Sequence, residues 1–147
     1  MKYNQLPKEQ RKALSLYVKL MRAANKTTNR IHRHLATDNL TLSQFAVLEA
    51  LSHLGPLCQG ELVQKILKSN ANLTTVVDGL EKKSLVRRER SDTDRRRVTV
   101  HLTDLGKALI AKVFPRHAKV VAEELHFLSE KKKEELTSLL KLFRIEE

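Results

Sequence analysis

The sequence predicts a mainly α fold carrying one small β-hairpin, an α+β chain with helices at both ends. Three observations predict it. Apolar residues recur at steps of three and four along both terminal stretches. Two short, apolar-striped segments stand only a few residues apart in the middle of the chain. Immediately after Ser84 the period changes from helical to alternating.

From the N-terminus, Leu14, Tyr17, Met21, Ala24, Thr28, Ile31 and Leu35 fall at alternating steps of three and four, which predicts one long helix over roughly residues 8 to 36 with a seam along it. Thr41-Leu42-Ser43-Gln44 then has the form of a capping box, with Leu40 and Phe45 placed as a hydrophobic staple. A second helix therefore starts near Leu42. It carries Phe45, Leu48 and Leu51 inward and stops at Gly55-Pro56.

A third helix, near Gln59 to Leu67, places Leu62, Val63, Ile66 and Leu67 inward. The next, starting near Asn70, is read from Leu73, Val76, Val77 and Leu80 at i, i+3, i+4 and i+7. Its other face is left to Asn70, Asn72, Thr74, Thr75 and Asp78. Asn and Thr can hydrogen-bond base edges in a major groove wide enough for a helix. Two short helices joined by a tight turn, the second exposing polar residues, make a helix-turn-helix.

After Ser84, Val98, Val100 and Leu102 alternate with Arg97, Thr99 and His101 on the return of a hairpin that leaves through Leu85 to Arg90. Its tip, Ser91-Asp92-Thr93-Asp94-Arg95-Arg96-Arg97, has no Gly and exceeds a two-residue turn, so it should project as an arm. Arginines on such an arm can track phosphates or enter a narrow minor groove, where the potential favours a guanidinium. The hairpin makes the unit winged.

Beyond Thr103, a candidate N-cap, the apolar positions predict a long helix to about Leu128, bent at Pro115. Ser129 can cap a last helix with Leu136, Leu139, Leu140 and Phe143 on one stripe. The terminal helices carry more apolar surface than a small winged unit can cover, which predicts a homodimer.

Composition agrees with a polyanion partner. Lys+Arg total 28 against 17 Asp+Glu, a formal charge of +11 in 147 residues. Such a field draws polyanions and makes binding salt-sensitive. Aromatics are only 4% and Trp is absent, which disfavours a base-stacking platform for single strands and leaves duplex DNA as the better partner. The single Cys excludes an internal disulfide, and no apolar run reaches the length of a membrane span. No signal-peptide character is seen at the N-terminus. A cytoplasmic protein with no membrane partner is expected.

This order of elements resembles the MarR family of bacterial transcription regulators over essentially the whole chain. The resemblance is carried by Leu80-Glu81-Lys82-Lys83-Ser84-Leu85-Val86-Arg87-Arg88 and by Asp94-Arg95-Arg96-Arg97-Val98-Thr99-Val100-His101-Leu102-Thr103, which looks like that family's Asp-x-Arg wing followed by Leu-Thr. It implies a single domain over 1–147, with a winged helix-turn-helix part at 38–103 and dimerisation helices at 1–37 and 104–147. It also implies a homodimer reading a pseudo-palindromic operator, with half-sites about one turn, roughly 10 base pairs, apart. Within that pattern Arg96 enters the minor groove and Asp94 is the carboxylate that orients it. Arg88, Arg90, Arg95 and Arg97 are expected at phosphates.

Two departures from the family pattern stand out. Ser84 occupies the position where such proteins usually have Gly, so the left-handed cap there is strained or replaced. Peroxide-responsive members keep a reactive Cys near the start of the first helix, and this chain has none there. Its only thiol, Cys58, precedes the third helix, where a helix N-terminus favours the thiolate. A lone Cys is more often a buried filler, so Cys58 stands as a candidate redox sensor against that plainer role.

The resemblance further implies an effector pocket, often for phenolic or other aromatic anions, between the dimerisation helices and the winged unit. Tyr17, Arg22, His32 and His53 lie on elements that could border it. His32 and His34 are two apart, so a helix turns them to different faces, and the other histidines lack ligand spacing; no metal site and no cofactor is expected. No glycine-rich phosphate loop, Gly-x-Ser-x-Gly or Cys-x-x-Cys appears, so an enzyme is not expected. The function these observations predict is a sequence-specific regulator binding double-stranded DNA, a repressor released by a small aromatic or oxidative effector. The alternative is an architectural DNA- or RNA-binding basic protein without sequence choice.

Overall fold

Six α-helices and a three-stranded antiparallel sheet make up the computed structural model, which describes residues 5–66, 72–94 and 96–143. The order is α1 (Lys8–His32), a 3₁₀ helix (Arg33–Asp38), α2 (Leu42–Leu54), β1 (Leu57–Cys58), α3 (Gln59–Lys65), α4 (Leu73–Lys82), β2 (Val86–Arg90), β3 (Val98–Leu102), α5 (Asp104–Glu124) and α6 (Glu130–Lys141). The chain forms two compact units, residues 32–118 and residues 1–31 with 119–147.

The larger unit is built around Leu35, Phe45, Leu48, Leu62, Val77, Leu80 and Val100, each almost fully buried. Its helices start where the sequence supplies acceptors for the orphan amides of a first turn. Thr41 and Gln44 form the expected capping box at α2. Asn72 Oδ1 accepts from the Thr75 amide and opens α4. Thr103 Oγ1 accepts from the Gly106 amide, 3.0 Å away, at the start of α5. In α4, Leu73, Val77 and Leu80 turn inward as their spacing requires.

Several expectations are corrected. The first helix stops at His32, and a 3₁₀ turn with left-handed Asn39 (φ 54°) completes the segment to Leu40. Val63 is 59% exposed rather than inward, because α3 is too short to fix a face by spacing alone. The expected hairpin of β2 and β3 forms, but a third strand joins it: Leu57 and Cys58 pair with Val100 and Thr99, giving the order β1-β3-β2. The long helix ends at Glu124, not Leu128, and runs through Pro115.

The left-handed cap after α4 is kept despite the missing glycine. Ser84 has φ 58°, its amide donates to the Glu81 carbonyl, and the Leu85 amide reaches the Leu80 carbonyl at 3.0 Å. The strain is held in place by the Thr103 hydroxyl, which donates to the Ser84 carbonyl at 2.6 Å. Next to it α5 passes so close that a Cβ at Gly106 would lie 2.0 Å from the Leu85 carbonyl oxygen.

The second unit is formed by α1 up to Ile31, the end of α5 and α6, with Arg30 paired to Glu124 at 3.0 Å. Ser129 Oγ caps α6 by accepting from the Lys132 amide. Large apolar side chains stay exposed on it, among them Leu16, Tyr17, Phe127, Leu139 and Leu142. Among the described residues, no helix is long and apolar enough to cross a membrane.

Candidate nucleic-acid interface

Three elements of the larger unit contribute to one polar surface: the start of α3, the outward face of α4 and the wing. Thr74, Thr75 and Asp78 are exposed along α4, opposite its buried stripe. Gln59, at the start of α3, reaches the Thr74 hydroxyl at 3.5 Å. Asn72 is exposed at the mouth of α4, where its side-chain oxygen is engaged as the cap. Asn70 lies outside the described residues.

The wing follows from its register. Val86, Arg88 and Arg90 oppose Leu102, Val100 and Val98, so alternation puts these six side chains on one face of the ribbon. Val86 and Val100 are buried there, and Arg88, next along the same face, meets α4. Its guanidinium lies 2.6 Å from Asp78 and 3.0 Å from Glu81, and Nη2 donates to the Thr74 carbonyl. Arg88, expected at phosphates, is delivered by inward alternation to two carboxylates.

At the tip, small polar side chains replace glycine in shaping the turn. Ser91 Oγ accepts from the amides of Thr93 and Asp94, and Asp94 Oδ1 accepts from the Arg96 amide at 3.0 Å. Asp94 therefore orients Arg96 through its backbone, and no ion pair joins the carboxylate to that guanidinium among the described residues. Arg90 and Arg96 are exposed and make no ion pair with described residues. Arg95 lies outside the described residues. Arg97 stands 3.9 Å from Glu61, tying the tip loosely to α3. Glu61 in turn accepts from the Cys58 amide at 2.7 Å, which, ahead of the nearby Arg97, holds its carboxyl below the usual carboxylate range.

Cys58 is half-buried and lines a groove of about 350 Å³ shared with Gly60, Asp94, Arg96 and Val98. A smaller cavity of about 190 Å³ lies between α2 and α5, bordered by His53, Lys107, Ile110, Ala111 and Phe114, with His53 edge-on to Phe114 at 5.2 Å. Of the effector candidates, His53 belongs to this cavity. His32 stacks on His117 at 5.8 Å, and Tyr17 and Arg22 are exposed on α1.

The histidines depart from expectation. The 3₁₀ turn after His32 carries His34 back toward His117, so His32 and His34 both border one ring instead of diverging. Arg116, beside them, pairs with Asp38, whose side chain is nearly buried. No sequence signal links these positions, since the pairing depends on how α5 crosses the 3₁₀ helix. Among the described residues, no group of three or more His, Cys, Asp or Glu side chains is placed to hold a metal ion.

A helix-turn-helix backed by an arginine-tipped wing defines the class: a winged helix-turn-helix protein that binds DNA. Residues 40–98 match the MarR family. The chain is 37% identical over 130 residues to the HTH-type transcriptional regulator MhqR of Bacillus subtilis, covering 88% of this chain and 90% of that one. The chain belongs to the MarR family, as a transcription regulator and not an enzyme. Its fold matches Sco3205 of Streptomyces coelicolor, a MarR family regulator solved in complex with DNA, with TM-score 0.81 and 21% identity over 95% of this chain and 89% of that one. It also matches BpsR of Bordetella bronchiseptica, whose DNA binding is regulated by 6-hydroxynicotinic acid, with TM-score 0.81 and 24% identity over 89% and 99%.

Proposed function

We propose that this protein is a homodimeric repressor that reads a pseudo-palindromic operator in duplex DNA. Residues 38–103 do the reading, and the helices at 1–37 and 104–147 pair two copies. The observation that supports the reading is the wing joined to α4 through Arg88, with exposed Arg90 and Arg96 on the hairpin and exposed Thr74 and Thr75 on the outward helix face. Thr74, Thr75 and Asn72 read base edges, with Asn70 preceding them in sequence. Arg96 enters the minor groove, and Arg90, Arg95 and Arg97 neutralise phosphates.

Pairing of copies is supported by the exposed apolar residues of α1 and α6, including Leu136 and Leu139, which would otherwise remain in water. For release, we assign the α2–α5 cavity to a small aromatic anion. Its volume suits one ring, since an apolar cavity of about 150 Å³ takes benzene. Lys107 and His53 supply the positive and hydrogen-bonding rim.

Selection of binding sites from random duplex at about physiological salt tests the reading. A palindrome with half-sites about one helical turn apart is expected. No enriched sequence would leave the architectural binder as the better account.

A further inference from the structure

Arg88 does more than occupy a strand. Thr74, Asp78 and Glu81 stand at i, i+4 and i+7, forming one edge of α4. A single arginine from β2 runs along that edge and touches all three: Asp78 at 2.6 Å, Glu81 at 3.0 Å and the Thr74 carbonyl at 3.3 Å. Its own backbone amide donates to the second Glu81 oxygen at 3.1 Å. The side chain is only 22% exposed, in contrast to the 63% of Arg97 nearer the tip.

Two consequences follow from charge and geometry. Asp78 and Glu81 are the only carboxylates on α4, and Arg88 compensates both. Left bare, these groups would repel the phosphates flanking a major groove into which α4 inserts. The planar fork also engages two carboxylates and a carbonyl at once, which fixes the direction of β2 against α4; an ammonium on a flexible stem has no such fork.

We infer that Arg88 is a positioning residue for DNA reading: it locks the wing to the recognition helix and masks that helix's acidic edge, and it makes no phosphate contact. The inference rests on α4 and the wing being the DNA-binding face.

The test compares wild type, Arg88→Met, Arg88→Lys and Arg88→Met/Asp78→Asn on two probes: the duplex that wild type enriches by selection, and a random-sequence duplex of equal length. Each is titrated across a range of KCl. Arg88→Met is expected to weaken the selected duplex by about tenfold or more and the random duplex much less, with the salt slope unchanged. Adding Asp78→Asn should recover part of the loss, and Arg88→Lys should remain several-fold weak. A residue that only supported folding would move both duplexes together and would not be rescued at Asp78.

A phosphate contact predicts the opposite: equal weakening on both duplexes, a salt slope smaller by about one, and no rescue. That result, or unchanged binding, overturns the inference. If Arg88→Met does not fold, as read by far-UV circular dichroism, Arg88→Lys against Asp78→Asn/Glu81→Gln/Arg88→Met carries the same comparison. Arg96→Ala in the same titration reports on the DNA face itself, so the two assignments can fail separately.

Discussion

His34 and His117, 83 positions apart in the chain, meet with Nε2 of one ring 3.0 Å from Nδ1 of the other. At that distance one nitrogen donates and the other accepts, so the two rings cannot both be charged. Phe45 lies against His117 at 4.5 Å between ring centres, and Arg116 approaches His34 from the other side.

Stability should therefore fall on mild acidification. Burial first, then the neighbouring His117 and Arg116, hold the pKa of His34 below its usual 6.5; burial does the same to His117. With both pKa values depressed in the fold, the unfolded chain binds protons first as pH drops. The contribution is fully present above about pH 6.5 and is lost as pH falls through the lower folded values. Thermal melts between about pH 8 and pH 5 should show a midpoint that drops below pH 6.5, and His117→Phe should flatten that drop. An equally steep profile in His117→Phe would place the titrating group elsewhere.

Arg96→Ala should weaken operator binding by more than about tenfold, the scale of one lost groove contact. The turn around it is shaped by Ser91 and Asp94, so the variant keeps the loop and removes only the side chain. A gel-shift titration checks this, and unchanged binding removes Arg96 from the interface.

Ser84→Gly should stabilise the protein by roughly 1 kcal/mol, the usual cost of holding a side chain in the left-handed region. The carbonyl of Ser84, and so its bond from Thr103, is unaffected by the change. Urea unfolding monitored by circular dichroism measures it. A loss of stability would mean that the cap is less strained than φ 58° implies.

Gly106→Ala should destabilise by about 1–3 kcal/mol, because the new methyl meets backbone rather than a yielding side chain. The displaced group is the Leu85 carbonyl, which accepts from the Thr103 amide at 3.1 Å. Wing and α5 would be pushed apart together, so operator binding should decline with stability; a melt unchanged from wild type would show that the backbone accommodates the methyl.

Much of this fold is legible in sequence where one residue's chemistry decides a boundary. Thr41 with Gln44, Thr103 and Ser129 each supply an oxygen at a helix start, and the i, i+4, i+7 stripe of Leu73, Val77 and Leu80 fixes a face over several turns, although α4 is capped by Asn72 and not near Asn70. Features that depend on other parts of the chain are not legible. Leu57 and Cys58 are too few to show a period, and they become a strand only because β3 has an unpaired side. His34 reaches His117 through a 3₁₀ turn that no spacing announces. Arg88 reads as a surface cation until the register with Val100 shows it sharing a face with buried valines. The wing arginines were visible as a cluster, but which of them are internally compensated depends on where α4 lies.

The strand order β1-β3-β2 leaves β2 at the rim of the sheet, where the Arg88 amide is already taken by Glu81 and Arg87, Glu89 and Arg90 flank the strand. A foreign strand adding there would have to strip water from a run of consecutive charges, and the opposite rim, β1, is only two residues long. The sheet thus offers no template for further growth. Copies that meet sheet to sheet therefore face a charged rim on one side and a two-residue strand on the other.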